Sequence, residues 1–221
     1  IASETKEWAY EVYKRVDFIN YWLYTFTATC LLCLVEPFVA IWLGQDFVLT
    51  KAILILAVAI YYFKGINSGI DIAKNAAGLY YPDRFIPMAE AIANMVISIV
   101  LAKRYGIAGV LFGTLVSFLA LSFWAKPYFV CRDVFEVSFA RYAVREGREI
   151  VVSVLVAAGT WYAVSLVSLE NVLLSFGVKA LLALALSNGL LLLVYFKTSE
   201  FQYLRGLLES AANRIGKRKK A

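Results

Sequence analysis

Long apolar runs alternate with short polar ones along this 221-residue chain. A helix that crosses a bilayer needs about 20 mostly apolar residues. Six stretches meet that requirement: 18–43, 52–70, 85–102, 105–125, 150–169 and 172–196. The first is free of charge up to Glu36, and the fourth and fifth carry no charge at all. Lys64 interrupts the second, Glu90 the third and Lys179 the sixth. The pattern predicts an all-α, polytopic membrane helical bundle with six transmembrane helices. Residues 1–17 read as a connector and 18–125 as four spans. Residues 126–149 read as an amphipathic connection, 150–196 as two further spans and 197–221 as a basic tail.

Charge gives these spans a direction. Cytoplasmic loops carry the excess of Lys and Arg. Seventeen of the 22 basic residues fall on one side of the predicted bundle and three (Lys51, Lys103, Arg104) on the other. The larger group includes Arg141, Arg145, Arg148 and the tail run Lys217-Arg218-Lys219-Lys220. Both ends are therefore expected in the cytoplasm, with the chain in the cell membrane. The net charge of +6 reads as contact with anionic membrane lipids, worth about 1 kcal/mol per charge near the surface. With 62% hydrophobic residues, 17% charged residues and a mean hydropathy of +0.71, the composition excludes a nucleic-acid-binding basic domain and a conventional soluble enzyme. The connection 126–149 mixes aromatic and basic residues and reads as an interfacial stretch.

Charges inside spans are where chemistry is sought first, because each costs about 2.5–3.5 kcal/mol on insertion scales. Lys64 lies twelve residues into the second span, about 18 Å at 1.5 Å per residue. Lys64, Asn67, Asp71 and Lys74 recur at helical spacing, which predicts one polar face. Two readings stand: the face lines water or a polar partner, or Lys64 snorkels and the stripe marks the helix leaving the bilayer. Glu90, Asn94 and Ser98 share a face of the third span, and Glu90 is a possible partner for Lys64. Glu36 precedes Pro37, which is expected to break the first helix near its outer end, and Lys179 is read as snorkelling. Gly109-x-x-x-Gly113 in the fourth span predicts close helix packing.

Histidine is absent, which removes histidine bases and histidine metal sites. Cys30 and Cys33 form a C-x-x-C, read here as small buried hydrophobes within an apolar run. No phosphate-binding loop, nucleophile elbow or metal-ligand motif occurs. No cofactor, metal or enzymatic activity is expected.

Four sequence elements carry a family resemblance. They are Ile1-Ala-Ser-Glu-Thr-Lys-Glu with Tyr10-Glu-Val-Tyr-Lys-Arg; Cys33-Leu-Val-Glu-Pro-Phe-Val-Ala-Ile-Trp-Leu-Gly44; Ala76-Ala-Gly-Leu-Tyr80 with Asp83-Arg84; and Gly106-Ile-Ala-Gly-Val-Leu-Phe-Gly-Thr114. Together they resemble bacterial polysaccharide exporters of the Wzx flippase type, in the multidrug/oligosaccharidyl-lipid/polysaccharide exporter superfamily. The resemblance implies twelve to fourteen helices in two lobes around a central cavity. It implies movement of undecaprenyl-diphosphate-linked sugar repeat units between leaflets. This chain would then be the C-terminal part, its partners being the lipid-linked oligosaccharide and an N-terminal lobe. Lys64, Asn67, Asp71, Lys74, Glu90 and Asn94 form the expected cavity lining. A drug/cation antiporter of the same superfamily, with Glu90 as coupling carboxylate, and a non-transporting scaffold are the rival expectations.

Overall fold

The computed structural model describes residues 6–81 and 84–206; the basic run 217–220 and Asp83 lie outside them. Eight α-helices account for six spans, with no strand among the described residues. They are α1 (Lys6–Trp42), α2 (Lys51–Ile66), α3 (Ser68–Ala76), α4 (Ile86–Tyr105), α5 (Ile107–Ala120), α6 (Ser122–Val130), α7 (Phe139–Ser165) and α8 (Val172–Tyr195). In a span each backbone donor and acceptor is satisfied within its own helix, so apolar runs of this length fold as helices. The protein is a multi-pass membrane protein: six helices are long and apolar enough to cross a bilayer.

Two predicted boundaries move outward. The first helix begins at Lys6 instead of residue 18, and the fifth span begins at Phe139 instead of 150. Residues 6–17 of the connector and the connection 126–149 are therefore largely helix in continuity with the spans. Residues 126–149 also contribute to the core. Val130, Cys131, Phe135 and Tyr142 are buried against Tyr10 and Tyr13 of α1. The Phe135 ring sits 5.3 Å from Tyr10 and 5.1 Å from Tyr13. A π-helical turn over Cys131–Phe135 ends at Glu136 in the left-handed region (φ 53°) and turns the chain into α7.

Other departures have local causes. Pro37 does not break α1, which runs on to Trp42. The second span is divided at Asn67. There the Gly65 carbonyl accepts from Asn20 Nδ2 (3.1 Å) and Ser68 Oγ (2.7 Å), so side chains compete for the helical ladder. The fourth span is divided at Leu121, and α6 holds Pro127, which supplies no backbone donor.

Helix α1 is the central element, packed by α2, α7 and α8. Hydroxyls stitch these helices together. Thr25 Oγ1 and Ser153 Oγ are 2.7 Å apart, Tyr62 Oη donates to Ser153 Oγ at 2.8 Å, and Tyr195 Oη donates to Tyr21 Oη at 3.3 Å. In a membrane such bonds add to van der Waals packing, since lipid is as apolar as the helix surface. Helix α4 stands apart. It packs mainly on α5 and has no fully buried residue.

Candidate functional site

The six residues expected to line one cavity have different surroundings in the fold. Lys64 is exposed, whereas Asn67 is 2% exposed and its amide has no hydrogen-bond partner. Asn67 marks the junction of α2 and α3, and the four residues of the predicted face differ in burial: Lys64 is exposed, Asp71 and Lys74 are half-buried and Asn67 is buried. The expected Lys64–Glu90 pair is also absent: the Lys64 ammonium lies over the Phe118 ring, 5.7 Å from its centre, and Glu90 accepts from Ser122 Oγ. Asp71 accepts from Lys126 at 3.0 and 3.2 Å. Asn94 Oδ1 accepts from Ser98 Oγ (2.8 Å) and Thr114 Oγ1 (3.3 Å), and so knits α4 to α5.

The fold regroups three of the six on a different stripe. Phe118, Ser122 and Lys126 follow one another at four-residue steps along α5 and α6. They hold Lys64, Glu90 and Asp71 respectively. Three charges from α2, α3 and α4 thus line up on the α5–α6 rod. Lys126 is the first residue of the predicted connection 126–149.

A second cluster escaped the sequence reading altogether. Asp17 of α1 and Glu146 and Glu149 of α7 are 4%, 3% and 5% exposed. One oxygen from each of the three lies within 4.8 Å of the others. Arg145 Nη2 donates to Asp17 Oδ2, and Arg145 Nε lies 3.8 Å from Glu149 Oε1. The guanidinium sits between the Tyr13 and Tyr142 rings, 5.5 and 5.9 Å from their centres. Tyr13 Oη is buried without a hydrogen-bond partner. One cation therefore faces three carboxylates in a place almost closed to water, where unpaired charge is costly. The motif that brings them together is a run of fours on α1, Tyr13, Asp17, Tyr21, Thr25 and Thr29. It meets Tyr142, Glu146, Glu149 and Ser153 on α7, and all nine are buried. Spacing of three and four places each set on one helix face.

Hard oxygen donors of this kind suit Mg²⁺ or Ca²⁺ by type. Arg145 occupies the cation position toward Asp17, and that makes the arrangement an ion-pair network first. Comparison with protein families, curated proteins and solved structures gives no match.

Proposed function

We propose that this chain supplies one side of a transport path for a lipid-diphosphate-linked sugar, as the resemblance to Wzx-type flippases implies. The observation that carries the reading is the place of Lys64. It stands midway along the 26-residue span Lys51–Ala76 and is exposed on the bundle surface. An ammonium at mid-depth is costly against lipid. The face that carries it therefore meets water or polar groups, as the wall of a hydrated cavity does. A mobile diphosphate asks for a cation without strict geometry, which lysine provides. Glu90 and the Asp71–Lys126 pair, stacked along the same rod, extend the polar wall. The second reading is a cation-coupled exporter. It is favoured by the Asp17–Glu146–Glu149 cluster and not by Glu90, whose carboxylate is bonded to Ser122.

Deletion of the gene tests the reading. The expected result is loss of surface polysaccharide, with the lipid-linked repeat unit accumulating in the inner leaflet. The wild-type gene restores export, and Lys64→Leu does not, at unchanged membrane abundance. Normal polymer with raised drug sensitivity would decide for the exporter. Full export by Lys64→Leu would place that lysine outside the path.

Orientation is tested separately. Single cysteines at Gln45 and Asn171 should react with an impermeant thiol reagent in intact cells, and one at Val144 should be protected. All three positions are exposed in the fold, so protection reports the membrane side. Labelling at Val144 from outside would invert the topology.

A further inference from the structure

Two adjoining hollows run from the middle of the bundle, at Thr25 and Ser153, to the end away from the carboxylate cluster. Along α1 that end is 19 residues from Asp17, about 28 Å at helical rise. The first hollow is a slot of about 370 Å³ between α1, α2 and α7. It exists because small side chains face one another there: Ala28, Ala59, Ala157 and Ala158. Leu54, Ile55 and Val154 complete apolar walls, and the Thr25–Ser153–Tyr62 hydroxyls close the floor. Ile55 and Val154 are exposed, so the slot opens sideways to lipid. The second hollow, about 310 Å³, is polar and includes Gln45, Ser165, Lys179 and Glu36. Glu36, Lys51 and Trp161 line both, which makes the two a single tapered space.

The charge of the rim selects the occupant. Two ammonium groups, Lys51 and Lys179, face one carboxylate, Glu36. Lys51 lies over the Trp161 ring, 5.9 Å from its centre, which holds the cation at the mouth of the slot. We propose that this space binds one anionic phospholipid, its net-negative headgroup at Lys51 and Lys179 and one hydrocarbon chain in the alanine-lined slot. The slot volume is within the range of sites that take small ligands, and its walls match a chain as its rim matches an anion. Neither Lys64 nor the α5–α6 stripe takes part, so the site is independent of the transport reading above.

The test uses the protein in phosphatidylcholine nanodiscs with two probes: phosphatidylglycerol and phosphatidylcholine, each carrying a photoreactive group midway along one chain. Phosphatidylglycerol should label α2 and α7 around Ile55 and Val154 several-fold more than phosphatidylcholine does. The double variant Lys51→Gln/Lys179→Gln should lose that several-fold preference, which is within what two interfacial cations can supply. Ala158→Phe, which fills the slot and leaves the rim, should lower labelling by both probes. Inorganic phosphate at millimolar concentration should not displace the lipid. Equal labelling by the two probes, or a preference that survives the double variant, would overturn the headgroup assignment. Displacement by free phosphate, or labelling unchanged in Ala158→Phe, would overturn the lipid. Helix content and monodispersity of each variant show that it is folded.

Discussion

Arg145→Met is expected to destabilise the protein by about 3–5 kcal/mol, the loss typical when one partner is removed from a buried ion pair. Whole domains are stable by only about 5–15 kcal/mol, so the variant should be scarce in the membrane and unfold early in detergent. Arg145 is the only cation in contact with the Asp17–Glu146–Glu149 group among the described residues. Without it three carboxylates are left facing one another, with oxygens within 4.8 Å. The methionine fills much of the volume, so the effect reads charge more than packing. Arg145→Lys should recover only part. An ammonium offers no planar fork to span Asp17 and Glu149, and stacks less well between the Tyr13 and Tyr142 rings. Adding Asp17→Asn to Arg145→Met should return some of the loss, because it removes one of the stranded charges. The coupling between the two sites should be well above the ~0.3–0.5 kcal/mol at which independent mutations add. An Arg145→Met protein as stable as wild type would mean that water or another cation compensates the carboxylates already.

The same cluster shows what the sequence could and could not yield. Six spans were legible because apolar runs of sufficient length have one stable form in lipid. Their ends were not, because the first charged residue was read as the end of the helix. Asp17 lies one residue before the predicted first span, and Glu146 and Glu149 lie just before the predicted fifth. Each charge is paired or grouped by the partner helix, so the helix runs through it and the charge is buried. The run Tyr13-Asp17-Tyr21-Thr25-Thr29, polar at every fourth residue, was a readable sign of an internal face. No comparable sign existed for Lys126 and Asp71, which are 55 residues apart and meet through the packing of α3 on α6. Lys64 was legible as an unusual residue because a charge stands out in an apolar span. Its contact with Phe118 was not, since nothing in the sequence places α5 beside α2.

The glycine pair in α5 was read from spacing alone, and the structure gives it a steric basis. A Cβ at Gly109 would lie 2.4 Å from the Leu101 carbonyl oxygen, and one at Gly113 would lie 2.9 Å from the Ser98 nitrogen. Both obstacles are backbone of α4, so no rotamer change relieves them. Gly109→Val/Gly113→Val should therefore push α4 away from α5 as a unit. Overpacking at one site costs about 1–3 kcal/mol, and two stacked sites on one interface should reach the upper part of that range or exceed it. The consequence should be unusually local. Helix α4 has no fully buried residue and touches α6 beyond α5, so little else holds it. The Ser98 bond to the Val110 carbonyl, the Thr114 bond to Asn94 and the Ser122 bond to Glu90 define what is lost at its inner face. A cysteine at Ser98 is half-buried in the parent protein and should become reactive to a membrane-permeant thiol reagent in the double variant. Reactivity at Cys33, buried against α7 and α8, should stay low. Gly189→Ala provides the contrast, since a Cβ there meets nothing within 4 Å and should be tolerated or slightly stabilising. If the double valine variant kept both its stability and the protection at position 98, α4 would have to be held by contacts other than this glycine seam.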